Sequence, residues 1–173
     1  MSPDADHLHK LLRYSSWANA LLYRCLADLD PGFLMQAKPG RPSGVLGILG
    51  HIYVIGCIWK AHLTGEGHGF LARNLDPLPS FAELRNRQLT LDRWYSDFAR
   101  DLPAPRRDVP IEFRFVDGGP GVMTAQEMLL HVVNHGTYHR GYIAVMMYDA
   151  GLKPPTMDLP VFLRDEAGDR RTA

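Results

Sequence analysis

The feature that most constrains the fold is a series of three histidines at four-residue intervals inside an apolar stretch. His131, His135 and His139 fall within residues 130–141, LHVVNHGTYHRG. Side chains four residues apart in a helix lie on one face, so this spacing predicts a helix with three imidazoles along one side. At about 1.5 Å of rise per residue, His131 and His139 lie on the order of 12 Å apart, too far to bind one ion together. A metal ion would take one adjacent pair, either His131 with His135 or His135 with His139.

Helical periodicity extends over most of the remaining chain. Apolar residues recur about every 3.6 positions in four long segments, and the second segment is apolar almost all round, which is typical of a buried central helix. The predicted helices run from Leu8 to Leu29, from about Val45 to Thr64, from the capping box at Ser80 and Glu83 to Leu102, and from the capping box at Thr124 and Glu127 to about Ala150. The sequence therefore predicts an all-α four-helix bundle formed by one domain, residues 1–173.

Proline and glycine mark where these helices begin and end. We expect Pro31-Gly32 to stop the first helix, residues 37–43 to form a loop, and Ser43 to cap the second helix. Gly65 should close the second helix, and Pro103 should end the third.

The connections carry further structural signals. The segment 66–79 contains about 14 residues, which can span roughly 46 Å when extended and so allow a crossover between the second and third helices. Residues 109–123 alternate apolar and polar side chains around a glycine-rich turn, which predicts a small β-hairpin before the fourth helix. A short helix is expected around Leu159 to Arg164, with a loose tail at 168–173.

Composition excludes several classes of function. Acidic and basic residues balance at 19 each, without the basic stretch that nucleic-acid binding requires. Cys25 and Cys57 lie in apolar helical segments without CxxC spacing, so neither a disulfide framework nor a thiolate metal site is indicated. The acidic start of the chain lacks the apolar core of a signal peptide, and no spanning segment is apparent. We expect a soluble cytoplasmic protein that binds neither nucleic acid nor membrane.

His51 is the best-placed residue to complete a metal site with two of the spaced histidines. It lies in the most apolar predicted helix, where an imidazole needs a partner. Three imidazoles leave coordination open for water or substrate, and an all-nitrogen site favours Zn or Ni. The spaced histidine left out of the chelating pair would line the pocket or bond to one of the ligands. His62 returns to nearly the same face three turns later and is a candidate to line a cavity. The alternative for each histidine is a hydrogen bond within the core.

Two other polar residues interrupt predicted apolar faces. Gln88 lies on the apolar stripe of the third helix, where it would either bond a neighbouring backbone group or line a polar site. Arg140 follows the last spaced histidine and would either bind a substrate carboxylate or make a structural ion pair or cap.

The chain resembles the DinB family of metal-binding four-helix bundles. The resemblance is carried by three segments along the chain: Tyr14-Ser-Ser-Trp17-Ala18-Asn19, Leu49-Gly50-His51-Ile52 with Trp59 and Leu63-Thr64-Gly65, and residues 131–141. It implies an up-down-down-up bundle. It also implies metal ligands at His51, His135 and His139, with His131 as a nearby residue that does not bind the ion.

The resemblance leads to two functional hypotheses. The first is a metal-dependent transferase or hydrolase-like enzyme acting on a small molecule, with a thiol-dependent S-transferase using a low-molecular-weight thiol as one form of it. The second is a stress-response protein without catalysis, in which the metal stabilises the bundle. A homodimer is also expected, because the first and fourth helices contain more apolar residues than one stripe needs: Leu12, Leu22, Met146, Met147 and Tyr148.

Overall fold

Helices make up most of the chain. The computed structural model describes the backbone of residues 3–37 and 44–172, and the side-chain environment of residues 7–37 and 44–168. The described residues form seven helices and a two-stranded hairpin, in the order α1 (Pro3–Ala27), α2 (Pro31–Met35), α3 (Gly44–Thr64), α4 (Phe81–Asp101), α5 (Ala104–Arg107), β1 (Pro110–Arg114), β2 (Pro120–Thr124), α6 (Ala125–Asp149) and α7 (Leu159–Thr172).

The four long helices form the core. Helix α1 packs against both α4 and α6, and helix α3 also packs against both of them. Two apolar clusters fill the space between them. The prediction of a mostly helical fold with a small hairpin before the last long helix is confirmed. The up-down-down-up course of the helices stays a prediction.

Helix α3 is the most apolar element. It is long and apolar enough by length and composition to cross a membrane, but 72% of its most apolar window is buried inside the protein. Val45, Val54 and Leu49 are almost completely buried in it. Burial on most sides explains why its apolar residues follow no single stripe, as expected for a core helix.

The hairpin covers one end of the core. Strands β1 and β2 pair antiparallel, with Phe113 opposite Gly121. A Cβ at Gly121 would lie 2.5 Å from the Phe113 ring, so only glycine allows the ring to lie flat across the partner strand. The ring reaches Trp59 of α3 at a centroid distance of 5.0 Å. The hairpin is thereby fixed against the second half of α3.

Three short helical segments differ from the sequence-based expectations. The stop signal at Pro31 starts α2 instead, because Asp30 accepts a hydrogen bond from the Gly32 amide and caps a new helix. Helix α5 follows Pro103 with a proline inside its first turn but without a side-chain cap. The expected loose tail was wrong, because α7 continues to Thr172. The predicted cap at Ser43 lies outside the described residues.

The apolar residues cited for a dimer are mostly part of the core. Leu12, Leu22, Met146 and Met147 are all buried inside the chain, so they supply no surface for a partner. Tyr148 is 65% exposed. The homodimer stays a prediction without the support expected from these four side chains.

Helix α6 begins with a complete capping box. The Thr124 hydroxyl accepts a hydrogen bond from the Glu127 amide, and the Glu127 carboxylate accepts one from the Thr124 amide. These bonds to the carboxylate lower the pKa of Glu127. The box satisfies amides that the first turn of a helix leaves without partners.

Removing this cap should destabilise the protein without changing its fold. We expect Thr124→Ala to lower the free energy of unfolding by about 1 kcal/mol, measured by urea denaturation, because the side-chain half of the cap is lost. Thr156→Ala, at an exposed loop position, is the matched control and should leave the midpoint unchanged. Equal midpoints for both variants would show that the capping box contributes nothing measurable.

Candidate metal centre

Three histidines from two helices meet at one point. His51 of α3 and His135 and His139 of α6 each offer a ring nitrogen, and these three atoms lie within 4.8 Å of one another. The Nε2 atoms of His51 and His135 are 3.2 Å apart. All three residues are half-buried. The structure thus brings together the second pair of spaced histidines and the residue proposed as their partner.

Local geometry explains why these three rings converge. The four-residue spacing stacks His135 and His139 one turn apart, with ring centroids 4.4 Å apart. Since α3 packs directly against α6, His51 meets both rings. Its Nδ1 lies 2.8 Å from the Arg73 carbonyl oxygen. That carbonyl can accept only an N–H, so Nδ1 is the protonated nitrogen and Nε2 keeps its lone pair toward the other histidines.

The arrangement fits a divalent metal ion. Two nitrogens bound to zinc at about 2.05 Å in tetrahedral geometry lie roughly 3.3 Å apart, close to the 3.2 Å between His51 and His135. Burial, followed by the neighbouring His139, His51 and His131 rings, lowers the pKa of His135 to about 3. The ring is therefore neutral at physiological pH, as a metal ligand must be.

His131 lies beside this group without joining it. Its ring centroid is 5.6 Å from that of His135 and 4.9 Å from that of Trp59. Burial lowers the pKa of His131, so the ring is neutral near pH 7. It forms part of the wall between the three converging histidines and the second half of α3.

His62 lies farther along α3 and lines a cavity. Desolvation and the neighbouring His68 lower its pKa. The centre of a water molecule can occupy about 70 Å³ of this cavity, whose walls are mainly apolar and aromatic. The lining residues are Ile55, Ile58, Trp59, His62, Arg73, Phe113, Phe115, Val116 and Asp117. Ile55 lies one helical turn from His51, and the Arg73 carbonyl oxygen is bonded to the His51 ring. The cavity therefore adjoins the histidine group.

Gln88 and Arg140 belong to a buried polar network instead. Arg140 is 2% exposed, and its guanidinium donates hydrogen bonds to Asn19, Ser15 and Thr137. These acceptors are hydroxyl and amide oxygens, whereas the structural alternative for Arg140 was an ion pair or a cap.

Asp92 connects the two predicted residues and is the part of the network that sequence reasoning missed. Its carboxylate accepts hydrogen bonds from the Gln88 amide at 2.8 Å and from the Asn19 amide at 3.0 and 3.1 Å. The signal was present in the sequence, because Asp92 lies between Gln88 and Tyr95 on the apolar stripe of α4. Asn19 bridges Asp92 and Arg140 and so connects α1, α4 and α6.

Comparisons with known proteins agree with this architecture. The family model described as "DinB family" matches residues 1–171. Protein DinB of Bacillus subtilis (strain 168) is 27% identical over 165 residues, covering 92% of this chain and 95% of that protein. The crystal structure of a DinB-like protein from Bacillus cereus ATCC 10987 superimposes with a TM-score of 0.59 at 19% identity, covering 84% of this chain and 94% of that one. The structural likeness shows a shared fold.

The buried carboxylate should make stability depend on pH. Burial raises the pKa of Asp92 to about 6 from an ordinary 3.8, although Asn19, Gln88 and Arg140 favour the charged form. Between these values the folded protein binds more protons than the unfolded chain, so stability falls as pH rises. A shift of about two units corresponds to a loss on the order of 3 kcal/mol between pH 4 and pH 6.

This prediction can be measured as a difference between variants. Urea denaturation of the wild type and Asp92→Asn at pH 4, 5, 6 and 7 should show the wild type losing stability relative to the variant as pH rises. Asp97→Asn, at an exposed position on the same helix, should give a difference that varies little with pH. A wild type that gains stability relative to Asp92→Asn over this range would contradict the raised pKa.

Proposed function

Because this chain belongs to the DinB family, we propose that it binds one divalent metal ion through His51, His135 and His139 and uses it to act on a small molecule. The observation that carries the proposal is the convergence of three imidazoles from two helices. Family membership and the histidine group both support metal binding. The reaction itself is inferred from the coordination that these residues leave open.

The composition of the group favours a catalytic site. Within the described part of the chain, the group contains three histidines and no cysteine or carboxylate. Structural zinc sites are usually closed by four protein ligands, whereas catalytic sites keep one position for water or substrate. Three nitrogen ligands favour Zn or Ni as the ion. Such an ion lowers the pKa of a bound water or thiol, so that a nucleophile is available at neutral pH.

The aromatic cavity beside the group is the proposed substrate site. Its walls include Trp59 and Phe113, while His62 and Arg73 supply polar edges. Pockets for small organic molecules usually combine apolar walls with a few polar groups in this way. His62 is neutral near pH 7 because burial lowers its pKa, so its ring can orient a polar group of the substrate by a hydrogen bond.

The specific reaction that we propose is the thiol-dependent transfer catalysed by an S-transferase. In such a reaction a low-molecular-weight thiol gives its proton to solvent, a carbon–sulfur bond forms with the substrate, and the leaving group departs with its electron pair. The proposal places the protein in the cytoplasm, where Cys25 and Cys57, both free in the structure, stay reduced. An up-down-down-up bundle is its proposed frame.

A non-catalytic role is the second candidate. The three ligands join α3 to α6, so a bound ion would cross-link two core helices and stabilise the fold. In a stress-response protein of this type, metal would raise thermal stability without any thiol being consumed. The two candidate functions therefore share the same three metal ligands and differ in whether the protein catalyses a reaction.

Metal binding can be tested by substitution of each histidine. We expect untagged wild-type protein to bind about one equivalent of zinc or nickel, measured by elemental analysis after gel filtration. His51→Ala and His139→Ala should each lose binding, since two imidazoles remain. His131→Ala is the matched control on the same face of α6 and should keep it. Wild-type stoichiometry in His51→Ala would contradict the proposed ligand set.

The transferase can be tested with the metal-loaded protein. Zinc- and nickel-loaded samples are incubated with an electrophile and one thiol at a time, and the loss of free thiol is followed. We expect at least one thiol to be consumed at a rate that His51→Ala does not support. The non-catalytic candidate would be favoured by a different result. In that case metal would raise the thermal stability of the wild type, while the wild type would consume every thiol no faster than His51→Ala does.

A further inference from the structure

A second, smaller cavity is lined by His135 and shares Ile55 with the aromatic cavity. The centre of a water molecule can occupy about 20 Å³ of this cavity, which is enough for one ordered water. It is bounded by apolar side chains and by polar residues of the buried network: Ser15, Asn19, Ile52, Ile55, Gly56, Gln88, Leu91, Asp92, Tyr95, Val132, His135 and Gly136. A proposed metal ligand and a buried carboxylate thus line the same cavity.

Gln88 has a polar atom in this region that no described residue satisfies. The residue is 3% exposed, and its amide nitrogen donates to Asp92. Its Oε1 is buried, and within the described ranges no hydrogen-bond donor reaches it. Leaving such an oxygen unpaired costs on the order of 1–3 kcal/mol, and buried water is the usual partner in such sites.

The Asp92 carboxylate can accept one more hydrogen bond. A carboxylate has about four lone-pair positions, and the structure assigns three contacts, two from Asn19 and one from Gln88. The hydroxyl of Tyr95, which also lines the cavity, donates to the Gly56 carbonyl oxygen. Gln88 Oε1 and the Asp92 carboxylate therefore both have acceptor capacity left beside the cavity.

His135 has the complementary requirement. Its Nε2 faces Nε2 of His51, which leaves Nδ1 to carry the ring proton once Nε2 binds a metal ion. Histidine ligands almost always donate this second N–H to a carboxylate, a carbonyl oxygen or water, and His51 has the Arg73 carbonyl oxygen for that purpose. The small cavity is the place where His135 can find an equivalent partner.

We propose that this cavity binds one ordered water, which accepts a hydrogen bond from the His135 Nδ1–H and donates hydrogen bonds to Gln88 Oε1 and the Asp92 carboxylate. Asp92 and Gln88 are then positioning residues for the metal ligand, joined to it through the water. Three hydrogen bonds are the usual number for a buried water. The inference deepens the proposed function and rests on it for the role of His135.

Metal affinity measures the effect of the water-linked residues. Zinc dissociation constants are determined by chelator competition for the wild type, Asp92→Asn, Gln88→Met and the double variant, with Asp97→Asn as the matched control. We expect each single substitution to weaken binding on the order of 10-fold or more, and the control to stay within about twofold. Because both residues act through one water, the zinc dissociation constant of the double variant should be close to that of the single variant with the lower zinc affinity. Wild-type affinity in both single variants, or effects that multiply in the double variant, would overturn the proposal.

A spectroscopic measurement separates positioning from general loosening of the fold. In zinc-loaded protein with ¹⁵N-labelled histidine, Asp92→Asn should shift the His135 Nδ1 resonance and leave that of His51 unchanged, because His51 is held by the Arg73 carbonyl oxygen. Equal shifts at both rings would indicate a structural effect and contradict the proposal.

A crystal structure tests the water directly. A density peak within about 2.7–3.2 Å of Gln88 Oε1, Asp92 and His135 Nδ1 is expected, and a dry cavity would overturn the inference. If the wild type binds no zinc, the proposed function fails, and the structure of the metal-free protein still shows whether the water site exists.

Discussion

The buried chain of hydrogen bonds from Asp92 through Asn19 to Arg140 is the interaction on which the rest of the structure depends. It joins α4, α1 and α6 through one carboxylate, one amide and one guanidinium. Burial opposes both charges, raising the pKa of Asp92 and lowering that of Arg140. An arrangement of this kind is stable only when each polar group has its partners, and removing one partner leaves a buried charge without compensation. The network therefore fixes how these three helices meet, in a way that apolar packing alone does not.

The histidine group uses the same helices for a different purpose. His135 and His139 lie on α6 next to the residues that hold the network, and His51 approaches from α3, which packs against α4 and α6. The position of α6 is thus set by Arg140 on one face, while the two imidazoles project from another. Rings that must keep nitrogen positions to a few tenths of an ångström need a rigid support. The polar network supplies it within one turn of the ligands.

Sequence reasoning identified the long helices and the spaced histidines because both follow local periodicity, whereas the choice of His135 and His139 over His131 came from the family resemblance. The apolar spacing, the capping box at Thr124 and the four-residue histidine spacing are all properties of neighbouring positions. The network eluded it because its bonds join residues 73 and 121 positions apart. Nothing local shows that Asn19 faces Asp92, although an aspartate on an apolar stripe was a signal that could have been read. Helix α2 was missed for a local reason, since Pro31 can end one helix or begin the next and the Asp30 cap decides between them.

The segment His135-Gly136-Thr137-Tyr138-His139-Arg140 unites the two systems through helical geometry. Positions 135 and 139 share one face, and positions 136 and 140 share the next, about 100° around the axis. A Cβ at Gly136 would lie 2.9 Å from Arg140 Nη1, and that guanidinium cannot move aside cheaply because Ser15, Asn19 and Thr137 hold it. Glycine is thus required beside His135 to make room for the arginine beside His139. The spacing that first indicated a metal site therefore specifies two faces of one helix, one for the three histidines and one for the buried network that positions them.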